Sequence, residues 1–524
     1  MAKTGKEEPG DSAVLNNRYI LTHRYSRHEN EEAAAETRAA FDANYAKLVS
    51  AGSSVVHDSA KSPASEYRVR RAALVEGHLQ GTMPKRQART AATMVEQEKS
   101  RRVLRAHPNL NLGLDADHVP QPVGDGATLD FTLENDGQPL SGIPVSVYMA
   151  NKYSGKTGST TVSAVSDADG SISIPYDADE YAPSSVTVQP KSGYWMMVLN
   201  KEEITGNIEV PALPMDGPIG WWHRCAGVTE YDPTRGEGIK IGVIDTGCGK
   251  NPNLSHVTRI GSFINGVYNP DPSSTNDIEQ HGTHVCGIIG ARPKEGTGQY
   301  GGIAPGAEIY AARVFNKKTG KAGQGDIANA IEVLVEKYGV HLINLSLGGG
   351  ESTIEEDLIQ YAFERGTLCI CAAGNGFGSP VDYPGAYPQT VAVSALSVSG
   401  AYPEGSYASF SIPSEATKHG YYNLSLAEYS DVGTQIICTA PGTGIISTVP
   451  PYTGHKVPYA EMEGTSMACP LATGATAAFL AIDSGFLDMP ADINRAYHMY
   501  YAVTNRAVPL GMAPIYQGRG MAIG

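Results

Sequence analysis

No run of eighteen apolar residues occurs anywhere in this 524-residue chain, so nothing in it is written as a bilayer-crossing helix. The N-terminus, MAKTGKEEPGDSAVLNN, carries charge but lacks the apolar centre of a secretory leader. Cysteine is scarce: seven residues (225, 248, 286, 369, 371, 438 and 469), none before position 220. An odd number in apolar contexts argues for buried reduced thiols rather than a disulfide framework. Together these features predict a cytoplasmic protein that does not act at a membrane.

Positive charge is also in short supply, giving a net charge of −15 that is unevenly spread. Residues 1–110 hold 18 Lys and Arg against 13 Asp and Glu, a balance of +5; the rest holds 22 against 42, a balance of −20. An acidic body speaks against nucleic acid as a partner. It suits a basic N-terminal segment that docks on its own acidic partner domain. The length exceeds what one hydrophobic core supports and predicts two to four domains. The 59 glycines suggest many tight turns around a packed sheet.

Three zones follow a disordered stretch at 1–16. In the first, 17–119, RYILTHR (18–24) and SSVV (53–56) read as strands. EEAAAETRAAFDANYAKLVSAG (31–52) and AATMVEQEKSRRVLRAHP (91–108) read as helices, and NLNLGLDADHV (109–119) as a closing strand. The order predicts a small α+β domain. The second zone, 120–205, alternates apolar and polar residues in ATLDFTLEN, IPVSVYMAN, SISIPY and SVTVQP, with NDGQPLSG and SDADG between them. This is the pattern of an antiparallel β-sandwich.

In the third zone, 213–524, continuous apolar runs alternate with helical patterns at 326–339 and 353–366. The runs are IKIGVID (239–245), AEIYAARVF (307–315), HLINLSLGG (341–349), TLCICAAGN (367–375) and TVAVSAL (390–396). The zone therefore predicts an α/β fold with a doubly wound, mostly parallel sheet, whose site forms at the carboxyl ends of its strands.

Polar residues fall at those ends. Asp245 closes a strand before Thr-Gly, and a strand-end Asp serves chemistry or simply caps a helix. His281 opens HGTHVCGIIG; His284 lies three residues on, the spacing of a metal pair, yet no third ligand of suitable type is near. Ser466, in GTSMACP, stands where a helix cap or a nucleophile would.

In combination and in this order, the segments resemble the subtilisin-like serine peptidases, the subtilases. The resemblance covers IGVIDTG (241–247), HGTHVCG (281–287), IAPGAEIYAARV (303–314), INLSLGG (343–349), AAGN (372–375), YPGAYPQTVAVSA (383–395), APG (440–442), GTSMACP (464–470) and YQGRGMA (516–522). It implies a serine endopeptidase made as a zymogen. Ser466 would be the nucleophile, His281 its general base and then acid, and Asp245 the group that orients the imidazole. Asn375 would donate to the oxyanion together with the Ser466 N–H. Ser346, Leu347 and Gly348 match the strand that pairs with an extended polypeptide substrate, with Ala373, Gly374 and Asp382 completing the substrate set. Asp382 falls at the floor of the S1 pocket, where a carboxylate would favour Lys or Arg at P1; a turn-capping Asp is the alternative. MPKRQART (83–90) would then be a self-processing site.

The first zone resembles the family's inhibitory pro-segment, with an apparent insertion near 60–90. It would act as an intramolecular inhibitor. Leu471 and Ala472 replace the family's His-Val, and 411–431 reads as an insertion. The loop 291–302 lacks the Asn-rich pattern of the family's strong calcium site, so no metal or other cofactor is required, while weaker oxygen-ligand sites elsewhere stay open. Cys248 and Cys286 should lie under the triad, as buried small apolar groups or as targets of mercurials. Two other readings share the fold: a peptide ligase or cyclase, and an inactive scaffold whose β-sandwich binds a partner.

Overall fold

The computed structural model describes residues 18–23, 46, 54–58, 72–76, 93–97, 100–104, 126–153, 155–204, 206–451 and 457–524. Its centre is a nine-stranded sheet running in the order Val267–Asn269, Thr258–Ile264, Glu308–Arg313, Lys240–Asp245, Leu342–Leu345, Leu368–Ala372 and Thr390–Val398. The last of these is paired by both Leu424–Leu426 and Ile436–Pro441. The pairings from Thr258–Ile264 through Thr390–Val398 are parallel, as the continuous apolar runs require.

The two-residue period of a strand sends alternate side chains to opposite faces, and here each face has its own core. Ile241, Val243, Leu368 and Ile370 pack with Val285 and Ile288 of the helix His281–Gly290 and with Leu471 and Ala475 of the helix Thr465–Ile482. Ile244, Ile343, Leu345, Cys369 and Cys371 face the other way. They meet Ile327 and Ile331 of the helix Gln324–Glu336 and Leu358 and Ile359 of the helix Thr353–Glu364. Helices on both faces make this the expected doubly wound α/β arrangement. Thr465–Ile482 is long and apolar enough to cross a membrane, but it runs through the core, with 83% of its length buried.

The N-terminal zone departs from its sequence reading. Arg18–His23, Ser54–Asp58, Ala72–Glu76 and Thr93–Gln97 form an antiparallel sheet in the order Ser54–Asp58, Ala72–Glu76, Arg18–His23, Thr93–Gln97. Among the described residues of 91–108, where a helix was expected, Thr93–Gln97 and Ser100–Val103 are strands. Its Glu, Gln, Lys, Arg and Leu favour a helix only weakly, and pairing with partners distant in sequence overrides that preference. The stretch read as an insertion near 60–90 supplies Ala72–Glu76, an inner strand of this sheet. Apart from Ala46, the helix expected over 31–52 lies outside the described residues, as does the strand expected over 109–119.

Residues 126–209 form two further sheets. Ser171–Tyr176, Ala127–Asn135 and Asn207–Glu209 pair in one, with Gln138–Pro139 turning back on the middle strand. Met197–Asn200, Tyr181–Val188, Pro144–Asn151 and Gly155–Val165 make the other. Inward residues of both, including Phe131, Leu133, Ile172, Val145, Val147 and Val186, share one buried cluster. The Asp136-Gly137 turn has φ of 48° and 71°, the left-handed conformation that a tight hairpin needs. The expected limit of 205 falls short, because Asn207–Glu209 belongs to the first sheet, and it pairs parallel rather than antiparallel. This unit docks on the α/β body through Gly193 N–H to Tyr459 O at 2.8 Å and an edge-on contact of Trp195 with Tyr402.

Candidate active site

The parallel strands deliver their polar ends to one place. Asp245 is the last residue of Lys240–Asp245, Ser346 follows Leu342–Leu345, and Asn375 lies just beyond Leu368–Ala372. His281 and Ser466 come from the first turns of two buried helices. Asp245 Oδ1 lies 2.7 Å from His281 Nδ1 and also accepts from the Thr246 N–H at 2.6 Å. Both side chains are withdrawn from solvent, so the pair keeps most of its electrostatic strength.

The approach depends on Gly282: a Cβ there would stand 2.0 Å from Gly247 O and 3.1 Å from Asp245 Cβ. Thr246 Oγ1 accepts from the Gly282 N–H at 2.8 Å and ties the strand-end turn to the start of the helix. His284 takes no part. Its Nε2 lies 3.0 Å from Ile445 O and 3.1 Å from Ala460 O. Among the described residues, no three His, Cys, Asp or Glu side chains gather as a metal site.

Ser466 and His281 are not hydrogen-bonded to each other. Ser466 Oγ donates to Ser346 O at 3.0 Å and accepts from the Leu104 N–H at 3.0 Å, while His281 Nε2 is buried with no hydrogen-bond partner. Proton transfer between the two therefore requires the Ser466 hydroxyl to turn from Ser346 O toward His281 Nε2. Asn375 is oriented from behind, because its Oδ1 accepts from Thr465 N–H at 3.0 Å and Thr465 Oγ1 at 2.8 Å. Its Nδ2 is left buried and unpartnered. This arrangement can polarise a carbonyl, supply an alkoxide nucleophile and shuttle a proton.

The cleft is filled by the chain itself. Ser100–Val103 lies antiparallel between Ala322–Gly323 and Leu347–Gly348, with Arg101 opposite Ala322, Arg102 opposite Gly348 and Val103 opposite Leu347. Leu104, next along, is buried, and its carbonyl accepts from the Ser466 N–H at 3.3 Å. Leu104 is thus brought to Ser466, while the stretch 83–90 expected as a self-processing site lies outside the described residues.

Asp382 sits where a Cβ on Gly348 would meet both its Oδ2 and Leu104 Cδ1 at 2.8 Å, and its backbone N–H donates to Ala373 O at 2.7 Å. Burial raises its pKa, partly opposed by Arg102 and Arg101. A second carboxylate, Asp431, lies just behind Gly374, whose φ of 121° and a Cβ clearance of 2.1 Å to Asp431 Oδ2 require glycine. Burial pushes Asp431 up to about 7, against the pull of the Gly376 and Ser379 N–H groups. Sequence reasoning missed Asp431, Thr465 and Leu104. Asp431 falls in the stretch taken as an insertion, and only folding brings it within reach.

Cys248 and Cys286 are both fully buried, and Cys286's thiol is held well above its ordinary range, first by its hydrogen bond with Cys248 and then by burial. Leu471 and Ala472 are buried in the helix behind Ser466 and pack in the same core.

A strand-borne acid paired to a helix-borne imidazole, beside a helix-borne serine on an α/β sheet, defines a serine hydrolase. Residues 236–496 match peptidase S8, the subtilase family. The chain is 31% identical over 299 residues to an intracellular serine protease of Paenibacillus polymyxa, covering 56% of this chain and 80% of that protein. It is 29% identical over 293 residues to the major intracellular serine protease of Bacillus subtilis (strain 168), covering 55% and 81%. With subtilisin BL of Lederbergia lenta it shares 34% over 245 residues, 46% and 76% of the two chains. The chain belongs to the subtilase family and is a subtilisin-like serine endopeptidase acting on polypeptides.

Proposed function

We propose that Ser466, His281 and Asp245 are the working triad, and that residues before 105 are an intramolecular inhibitor that is also the first substrate. Ser466 Oγ would attack a carbonyl lying where Leu104 C=O lies, giving its proton to His281 Nε2. Asp245 holds Nδ1–H and stabilises the imidazolium; the proton then passes to the leaving amine, and water repeats the cycle on the acyl-enzyme. Ser466 N–H and Asn375 Nδ2 would receive the oxyanion. No metal or other cofactor enters this chemistry.

The observation that carries the reading is Leu104, whose N–H and C=O both meet Ser466. On this reading Leu104 is P1, Arg101 is P4, and Leu104–Arg105 is the bond cut on maturation. Asp382 then flanks an aliphatic P1 side chain and stands 3.6 Å from Arg102 at P3. The N-terminal sheet would be the body of an inhibitor-like pro-domain, and the two sheets of 126–209 an immunoglobulin-like spacer. The intracellular naming of two relatives supports a cytoplasmic site of action.

The test is incubation of the full chain beside Ser466→Ala, followed by intact mass and N-terminal sequencing. Wild type should acquire a new N-terminus at Arg105, and a fluorophosphonate should label only wild type. Cleavage at that bond in Ser466→Ala would overturn the reading.

A further inference from the structure

Arg101 is the most unusual side chain of the bound segment. A long cation in an extended surface strand normally keeps its head in water, yet Arg101 is 1% exposed. Its Nε donates to Glu355 Oε1 at 3.2 Å, its Nη2 to Glu355 Oε2, and its Nη1 to Gly350 O. Both side chains of this ion pair are fully withdrawn from solvent. The next residue gives the contrast: Arg102 is 55% exposed and only approaches Asp382, at 3.6 Å. A surface contact of that kind contributes little.

The helix turn that carries the carboxylate is fixed independently of its guest. Glu355 is in the first turn of Thr353–Glu364, where the helix dipole favours an anion. Ser352 Oγ accepts from the Glu355 N–H at 3.3 Å and caps that turn. Tyr387 OH clamps the cap, accepting from Ser352 N–H at 2.8 Å and donating to Ser352 O at 2.6 Å. Among the described residues, Arg101 is the one cation in an ion pair with Glu355.

We propose that Glu355 makes the fourth subsite of this protease an arginine pocket, so that its substrates carry Arg at P4, three residues before an aliphatic P1. The inference rests on the proposed register, with Leu104 at P1. When the pro-segment leaves, the place of the Arg101 side chain on Glu355 becomes free for a substrate's P4 residue; a neutral P4 side chain that covers the carboxylate as Arg101 does leaves it desolvated and unpaired. The planar fork of Arg matches both carboxylate oxygens and adds the Gly350 carbonyl, which the point charge of Lys cannot reproduce. The pocket therefore ranks P4 residues as Arg, then Lys, then neutral, with Glu last. It also makes Arg101 the anchor by which the pro-segment grips the cleft.

The test uses the self-matured full chain and fluorogenic peptides acetyl-Ser-X-Arg-Val-Leu-aminocoumarin, with X as Arg, Lys, citrulline, Ala or Glu. Citrulline keeps the shape of arginine without its charge. The Arg peptide should exceed citrulline in kcat/KM by roughly thirtyfold or more, the size expected when one partner of a buried hydrogen-bonded charge pair is removed. Glu355→Gln should bring Arg down to the citrulline value. Because the series is read on the wild type, it does not depend on how that variant folds. Brisk turnover of all five peptides at similar rates overturns the proposal. If no peptide is cleaved, the endopeptidase reading fails instead, and hydrogen exchange of residues 100–104 in full-length Ser466→Ala decides the pocket. Faster exchange with Arg101→Ala than with Arg102→Ala supports it, and equal exchange overturns it.

Discussion

Asn375→Ala isolates transition-state stabilisation from binding. In the structure the Asn375 amide nitrogen is buried and bonded to nothing, while its carbonyl oxygen is fixed by two bonds from Thr465. A donor that finds its partner only when the carbonyl oxygen becomes an oxyanion contributes to kcat and leaves ground-state binding alone. Removing one such donor costs about 2.7–4 kcal/mol, a loss of roughly 10²–10³ in kcat. Thr465→Val should reproduce part of this defect, about tenfold, because one of the two bonds orienting Asn375 is lost while the Thr465 backbone N–H persists. The assay is steady-state hydrolysis of a peptide ending in Val-Leu-aminocoumarin, with rates divided by active sites titrated with a fluorophosphonate. Wild-type KM with a hundredfold lower kcat is expected. A kcat within fivefold of wild type, or a defect confined to KM, would refute the assignment of Asn375 to the oxyanion.

Asp245→Asn should keep the fold but lower kcat by about 10⁴, since an amide stabilises the wrong imidazole tautomer; a loss below a hundredfold would argue against its orienting role. Gly282→Ala should lower Tm and yield mostly insoluble protein, because its Cβ would stand 2.0 Å from the backbone oxygen of Gly247; a Tm within a degree or two of wild type would contradict this. Asp431, raised to about 7 by burial, binds its proton more tightly folded than unfolded. Its contribution to stability is complete below its unfolded pKa near 3.8 and is lost as pH rises through about 7. In thermal scans from pH 4 to 8, Asp431→Asn should therefore flatten the decline in Tm, and parallel curves would sink the argument.

The strands of the catalytic body were legible because burial on two faces writes a continuous apolar run. Leu342–Leu345 and Leu368–Ala372 lie within the runs that marked them. Asp245 and Asn375 fell at the carboxyl ends of such runs, while His281 and Ser466, at the starts of helices, were named through HGTHVCG and GTSMACP and the family resemblance these motifs carry. These are local signals, carried by composition over a few residues.

What needed the tertiary structure was pairing at a distance. Thr93–Gln97 and Ser100–Val103 are strands because Arg18–His23, Ala322–Gly323 and Leu347–Gly348 offer them edges, and a strand's hydrogen bonds go to residues its own sequence cannot specify. For the same reason neither Leu104 at Ser466 nor Arg101 on Glu355, 254 positions away, left a trace in the order of residues. Asp431 took its high pKa from burial beside Gly374 and Asp382, an environment assembled only on folding. The sequence by itself named the candidate catalytic residues and the family they resemble, because those signals are local; the fold decided what occupies the cleft and which side chains grip it, because those contacts join residues far apart in the chain.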